Sequence, residues 1–309
     1  MELEIIRWLR ERLPQSSRVL LGPGDDAAIL DWKTPSSLVL ACDTIVEGLD
    51  FTFDAASADQ IGRKALAINL SDIAAMGATP VAATISFVLP KANCLELSHK
   101  LVEGMIALAE EFSVDLVGGD LTVWDGPLII TVNIAGEVGP NGCWRRQGAS
   151  AGDNLLVTGR LGGSILGRHL AFQPRLEESQ LLSSEYSIKA SIDISDGLAI
   201  DTHRLATESG LQAILDLEAI PVSDAAISLA SDAQTGLTAL QHALQDGEDF
   251  ELLLAVPPDD TARLLADERF DCQITAIGTL FEGTGLFSRD SSGAVEPLAP
   301  SGYVHGAMD

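Results

Sequence analysis

Residues 61–80 read IGRKALAINLSDIAAMGATP, and the reading of this stretch decides the fold. Ser57, Ala58 and Asp59 ahead of it offer N-cap chemistry, and Gly77 with Pro80 beyond it makes a helix stop. The body is almost wholly apolar or small, so it predicts a helix buried on most sides rather than an amphipathic one. Yet Lys64, Asn69, Ser71 and Asp72 lie inside it. Asn69 and Asp72, at i and i+3, share a face. Burying a carboxylate and an amide without partners would cost several kcal/mol. From this helix alone two solutions stay open: a bound cation, or an internal cap or arginine pair.

The 309 residues suit two domains or one large one, and 46% apolar content reads as globular. No apolar run approaches the roughly 18 residues of a membrane span, and the opening MELEIIRW is acidic, so neither a span nor a signal peptide is expected. Cys42, Cys94, Cys143 and Cys272 show no CxxC spacing, which points to reduced thiols in a cytoplasmic protein. The net charge of −26 argues against nucleic acid, because phosphate binding needs clustered Lys and Arg. A solvated surface accounts for much of that charge. It does not account for carboxylates in apolar or glycine-rich surroundings.

Residues 2–13 read as a short helix, followed by GPGDDAAIL at 22–30, where glycines and Asp25-Asp26 precede an apolar strand. A strand over 37–41 runs into Cys42-Asp43-Thr44, placing a carboxylate at a strand exit. After the 61–80 helix come a strand over 81–89, an amphipathic helix over 95–112, and a short strand over 114–117 that delivers Gly118-Gly119-Asp120. The strands over 81–89 and 127–138 are long and nearly uncharged, and exposed edges of that kind invite pairing into a homodimer. A boundary falls near 139–152, giving domains over 1–140 and 141–309. Strand 154–158 then leads into GRLGGS and a helix; backbone N–H groups at such a turn suit phosphate, although no Walker A lysine is present. Residues 174–188 read as a surface helix or loop. SIDISDGL at 191–198 repeats the acidic theme, as does DGEDFELLL at 246–254, and SGYVH at 301–305 sets a tyrosine beside glycine.

Taken singly, each of Asp25, Asp26, Asp43, Asp72, Asp120, Asp193, Asp196, Glu248 and Asp249 has a structural explanation. Together they form a set of hard oxygen donors without His or Cys, the chemistry of Mg²⁺, which keeps waters and bridges to substrate phosphates. Such ions let an acidic protein hold a nucleotide triphosphate, with catalysis by positioning and charge neutralisation. The absence of GxGxxG after a strand argues against a dinucleotide-binding dehydrogenase.

The series GPGDDAAIL, CDTIVEG, KALAINLSDIAAMGATP, VGGD, RQGASAGD, DISDGL and GEDFEL, in this order over almost the whole chain, resembles the thiamine-monophosphate kinase family of the aminoimidazole-ribonucleotide-synthetase-like superfamily. The resemblance implies an α/β (α+β), two-domain PurM-like fold: an N-terminal ATP- and Mg²⁺-binding domain that dimerises through its sheet into a shared barrel, and a C-terminal α/β domain. It implies transfer of the ATP γ-phosphoryl group onto the phosphate of thiamine monophosphate, with several Mg²⁺ ions, K⁺ as a further candidate ion, and no phospho-enzyme. Asp26, Asp43, Asp72, Asp120, Asp193 and Asp196 fall on the family's metal positions, with Cys42 where Thr is usual. Asp43, Asp72, Asp120 and Asp196 would thereby serve the reaction itself. Gly119, Arg146 and Ser195 fall on nucleotide positions, and Asp50, Glu248 and Tyr303 on acceptor positions. Asp50 replaces a histidine, Leu121 replaces a threonine after GGD, and an insert between Gly167 and Pro174 is missing. Another kinase or synthetase of the superfamily with a different acceptor, or an inactive nucleotide-binding regulator, are the alternative readings.

Overall fold

The computed structural model describes residues 8–9, 11–13, 16–21, 29–32, 37–232 and 235–304. The chain divides into two units, Met1–Ile73 with Ala78–Pro140, and Ala74–Gly77 with Asn141–Asp309. The helix expected over 2–13 falls largely outside the described residues, although 8–9 and 11–12 are helical. Asp25 and Asp26 lie outside them too.

The first unit runs β1 (Val19–Leu21), β2 (Ile29–Leu30), β3 (Leu38–Val46), α1 (Ala58–Ala75), β4 (Ala78–Pro90), α2 (Cys94–Glu111), β5 (Asp115–Trp124) and β6 (Ile129–Val138). The chain enters α1 as the capping residues dictate: the Ser57 N–H and hydroxyl both donate to Gln60 Oε1, at 3.0 and 2.9 Å. Ile61, Ala65, Leu66, Leu70 and Ile73 are fully buried, as is Lys64, so this helix has almost no wet face. It crosses α2 at very short range. A Cβ on Gly62 would stand 1.9 Å from the Leu101 carbonyl oxygen, and one on Gly104 1.9 Å from that of Asp59.

A four-stranded sheet has the order β3-β6-β4-β5, in which β4 and β5 are parallel and the other pairs antiparallel. Two expectations change here. Strand β3 does not stop at Ala41: Cys42, Asp43 and Thr44 pair with Asn133, Val132 and Thr131, and β-branched Thr44, Ile45 and Val46 carry the ladder on. Likewise Gly118-Gly119-Asp120 lies within β5, not at its exit. Gly119 permits this, because a Cβ there would meet the Ile85 carbonyl oxygen of β4 at 1.6 Å. The strands expected to be exposed edges, β4 and β6, are the interior pair.

Paired residues in a sheet share a face and neighbours alternate. Asp43 therefore lies in one row with Val132, Ile85 and Gly119, while Thr44, Thr131, Ser86 and Asp120 form the next row on the opposite face. The Asp43 face is covered by α1, where Ile73 Cδ1 stands 3.0 Å from the Cβ position of Gly136. The opposite face keeps Leu38, Leu40 and Trp124 exposed, Leu40 at 71%.

The second unit runs β7 (Asn154–Thr158), α3 (Leu176–Glu185), β8 (Ala190–Asp193), α4 (Leu198–Glu208), β9 (Leu211–Asp216), α5 (Asp224–Ala230), α6 (Ala239–Gln245), β10 (Leu252–Val256), α7 (Pro258–Leu265), β11 (Ile274–Glu282), β12 (Gly285–Arg289) and β13 (Val295–Pro297). Its seven-stranded sheet has the order β13-β12-β9-β11-β7-β10-β8. Strands β8 and β10 are buried along their whole length, matching their unbroken apolar runs. Leu155, Val157, Ile192, Leu253 and Ala255 of the sheet pack with Leu198, Ala199 and Leu205 of α4 in one core.

Candidate active site

In the first unit, β3 and α1 bring two of the expected acids together. Asp43 faces the helix side of the sheet, and its carboxyl shares a hydrogen bond with that of Asp72. Burial pushes the Asp43 carboxyl above its ordinary range, and the bond to Asp72 pulls it partly back. Two carboxyls can share a hydrogen bond only if one keeps a proton. A divalent cation can take that proton's place, so the donor set fits Mg²⁺. Nearby in sequence, Asn69 donates its amide to the Ala65 carbonyl at 3.1 Å, while its buried Oδ1 has no hydrogen-bond partner among the described residues.

The other expected ligands of this unit do not join that pair. Cys42 and Asp120 lie in rows of the opposite, open face, because a strand turns successive side chains to opposite sides. Among the described residues, no group of three or more His, Cys, Asp or Glu stands close enough to hold a metal ion. Gly119 is explained by the close approach of β4. Asp50 closes its own turn: its Oδ2 accepts the Val46 N–H at 2.7 Å, and its carbonyl accepts the Lys64 ammonium at 2.8 Å.

In the second unit three acidic segments converge by backbone hydrogen bonds. Glu248 N–H donates to the Ser195 carbonyl at 2.7 Å, Phe250 N–H to Ile194 at 2.8 Å, and Tyr303 N–H to Asp196 at 2.8 Å. Asp193 closes β8 and is buried, Ser195 and Asp196 follow half-buried, and Tyr303 is 45% exposed. Glu248 and Phe250 both take positive φ, 51° and 49°, which is unfavourable for such side chains. Phe250 is held there by a stack on Phe172 with ring centroids 4.2 Å apart. Arg146 is exposed, and only its carbonyl is engaged, by the Ser209 hydroxyl.

The glycine-rich turn after β7 is not an open phosphate cradle. The Gly162 N–H donates to both oxygens of Asp249, at 3.0 and 2.8 Å, and the Gly163 N–H to Asp246 at 2.9 Å. The anions that satisfy this turn belong to the chain itself, and only a single 3₁₀ turn, Ser164–Leu166, follows. Asp249 is one member of a buried ionic cluster. Arg168 bridges Asp249 (2.6 Å) and Glu251 (3.1 Å), Arg175 grips Glu251 at 2.6 and 2.8 Å, and Thr158 donates to Glu251 at 2.7 Å. Burial pushes Asp249 up to about 7 despite its partners, and pushes the neighbouring Cys272 thiol up to about 12.

Sequence reasoning gave no role to Asp201 and Arg204. Both contact Asp196, and their i+5 and i+8 spacing from it, one helical turn apart, was the available signal.

Comparison with known proteins bears on the whole of this arrangement. Residues 24–138 match the model of the AIR synthase related protein N-terminal domain, and residues 126–291 that of the AIR synthase related protein C-terminal domain. A thiamine-monophosphate kinase of Rhodopirellula baltica is 42% identical, covering 100% of this chain and 98% of its own. The chain belongs to the thiamine-monophosphate kinase family. Among solved structures, thiamine-monophosphate kinase from Stenotrophomonas maltophilia is 32% identical with a TM-score of 0.79, covering 93% of this chain and 95% of its own. AaThiL complexed with AMPPCP and TMP is 27% identical with a TM-score of 0.77, covering 98% and 96%. The two-domain α/β architecture expected of this family is therefore the one this chain adopts.

Proposed function

We propose that this protein transfers the γ-phosphoryl group of ATP to the phosphate of thiamine monophosphate, forming thiamine diphosphate and ADP. The full-length similarity to the Rhodopirellula baltica thiamine-monophosphate kinase carries the reading. Support comes from the relative that holds AMPPCP, a non-hydrolysable ATP analogue, with TMP, read from the family name as thiamine monophosphate. In the transfer, the bond between γ-phosphorus and the β,γ-bridging oxygen breaks as one to an acceptor phosphate oxygen forms, and ADP leaves with the electron pair.

Asp43 and Asp72 hold Mg²⁺ in this reading, with Asp26, Asp120, Asp193 and Asp196 as further ligands and Cys42 as a contributor. Bound Mg²⁺ supplies charge neutralisation across the phosphates of both substrates. Arg146 offers a cation to the nucleotide, with Gly119 and Ser195 beside it. Asp50, Glu248 and Tyr303 serve the acceptor. A strained Glu248 locked to Ser195 suits a group that must be preplaced. Residues 1–140 would carry the nucleotide and metal, and residues 141–309 the remaining loops. K⁺ is an accessory-ion candidate.

A homodimer goes with this reading, supported by the open sheet face with exposed Leu38 and Leu40 rather than by an edge strand. No helix among the described residues is long and apolar enough to cross a membrane, and the four cysteines are unpaired; we place the protein in the cytoplasm. The deciding experiment incubates pure protein with ATP, Mg²⁺ and thiamine monophosphate. Thiamine diphosphate and ADP in equal amounts are expected, and EDTA should stop both. No thiamine diphosphate from folded protein would reject the acceptor.

A further inference from the structure

The turn carrying Asp193, Ser195 and Asp196 is held from the helix that follows it. Asp201 of α4 has a fully buried side chain, and its Oδ2 accepts the backbone N–H groups of Asp196 at 3.0 Å and Gly197 at 3.1 Å. One turn on, a single Arg204 nitrogen donates to Asp201 Oδ1 at 2.7 Å and to Asp196 Oδ2 at 2.5 Å. Gly302 closes the far side, since a Cβ there would stand 2.6 Å from the Asp196 carbonyl oxygen that Tyr303 N–H already engages. Asp196 is thus fixed through its N–H, its carbonyl and one carboxylate oxygen, with Oδ1 left outside the net.

An ordinary helix start needs only a short side chain accepting the first N–H groups. Here the acceptor is a buried carboxylate, and an arginine ties it to the one acid that protrudes from the turn. Buried acids are retained at a cost in stability, so a second task is implied. We propose that Asp201 and Arg204 are positioning residues that set the angle of the Asp196 carboxylate, Arg204 occupying Oδ2 so that Oδ1 faces the cation of the bound nucleotide. This rests on the metal-nucleotide reading above, but not on the identity of the acceptor.

The test measures binding of AMPPCP by calorimetry across a Mg²⁺ series, alongside melting temperature, for the parent, Arg204→Gln and Arg204→Lys. Second-sphere partners of metal ligands typically contribute about 10–100-fold in affinity, so Arg204→Gln should raise the half-saturating Mg²⁺ concentration by that factor. Arg204→Lys, whose ammonium can reach both carboxylates, should recover most of the loss. The acceptor's KM at saturating Mg²⁺ should stay put. Unchanged or lower half-saturating Mg²⁺ in Arg204→Gln overturns the proposal, as does Arg204→Lys behaving like Arg204→Gln. Metal-free hydrogen exchange supplies the second readout if Arg204→Gln does not fold. The Asp196 and Gly197 amides should exchange about tenfold faster in Asp201→Asn than in the parent, and equal rates overturn the proposal. A parent that binds AMPPCP equally well in EDTA also overturns it. A parent that binds with Mg²⁺ yet makes no thiamine diphosphate supports the positioning role and rejects only the acceptor.

Discussion

Asp43 on the central face of a sheet and Asp72 on the helix above it share one hydrogen bond, so in the metal-free protein the pair holds a proton between two acids. Asp72→Asn keeps the shape and a donor for Asp43 while removing a potential charge. Folding stability without divalent metal should therefore hold or rise. Turnover with Mg²⁺ should fall roughly a thousandfold or more if the oxygen holds the ion. Thermal melts in EDTA and kcat in Mg²⁺ check the two halves, and near-normal turnover defeats the ligand assignment.

Gly62 and Gly104 make a different kind of statement. An alanine in an exposed helix is about 1 kcal/mol better than glycine. At these two positions the sign should reverse, because the new Cβ would enter the carbonyl of the facing helix at 1.9 Å. Gly62→Ala and Gly104→Ala should each lose about 1–3 kcal/mol by forced separation of the helices. Urea melts read this directly, and a stabilised variant would mean that the helices can slide apart freely.

Much of this fold is legible in the chain. The start, end and all-round burial of α1 follow from Ser57, Gly77 and an apolar run, and β7 begins and ends where its pattern says. What escaped depends on partners distant in sequence. Local pattern carries no strand order, so β4 and β6 look like edges until β3 and β5 flank them. GRLGGS announces spare N–H donors, but Asp246 and Asp249 fill them from far along the chain. Asp72 is recognisable as an awkward buried acid. Its partner Asp43 becomes evident only once β3 continues past Ala41 and sets the parity of the strand.

The Glu251 carboxylate offers a sharp stability test. It is buried and gripped at both oxygens by Arg175, with Arg168 and Thr158 completing its shell. Arg175→Met keeps much of the volume but strands that charge, and should cost about 3–5 kcal/mol. Replacing both partners, Arg175→Met with Glu251→Leu, should recover a good part of it. Chemical denaturation of the single and double variants decides, and additive losses would show that the pair is not coupled.

Asp249 should leave a signature in the pH dependence of stability. Its folded value of about 7 lies above the ordinary 3.8, so between these limits the native protein holds a proton that the unfolded chain has lost. Stability from this group is fully present at low pH and declines as pH rises from about 4 to 7, by at most about 1.4 kcal/mol per unit for one proton. Acids held low by partners, Asp267 among them, act in the opposite direction below that window. The difference between parent and Asp249→Asn isolates the effect: the Asn variant should gain on the parent as pH rises to 7 and run parallel above it.

Asp50 separates a fold role from a substrate role. Its Oδ2 accepts the Val46 N–H at 2.7 Å, which closes the turn after β3, and an asparagine oxygen can accept the same bond. Asp50→Asn should therefore melt within about 0.5 kcal/mol of the parent, whereas Asp50→Ala should lose about 0.5–1.5 kcal/mol with the hydrogen bond. The negative charge is the only thing Asp50→Asn removes. If that charge faces the aminopyrimidine or thiazolium of thiamine monophosphate, KM for this substrate should rise about tenfold, equivalent to 1.4 kcal/mol, while KM for ATP barely moves. Asp50→His should change the same constant by a different factor, because it brings an imidazole in place of the carboxylate. Steady-state kinetics at saturating Mg²⁺ with each substrate varied in turn make the comparison. An Asp50→Asn enzyme with both constants unchanged would leave Asp50 as a turn-closing residue and nothing more, and equal shifts in both would point to a disturbed turn rather than a contact with the acceptor.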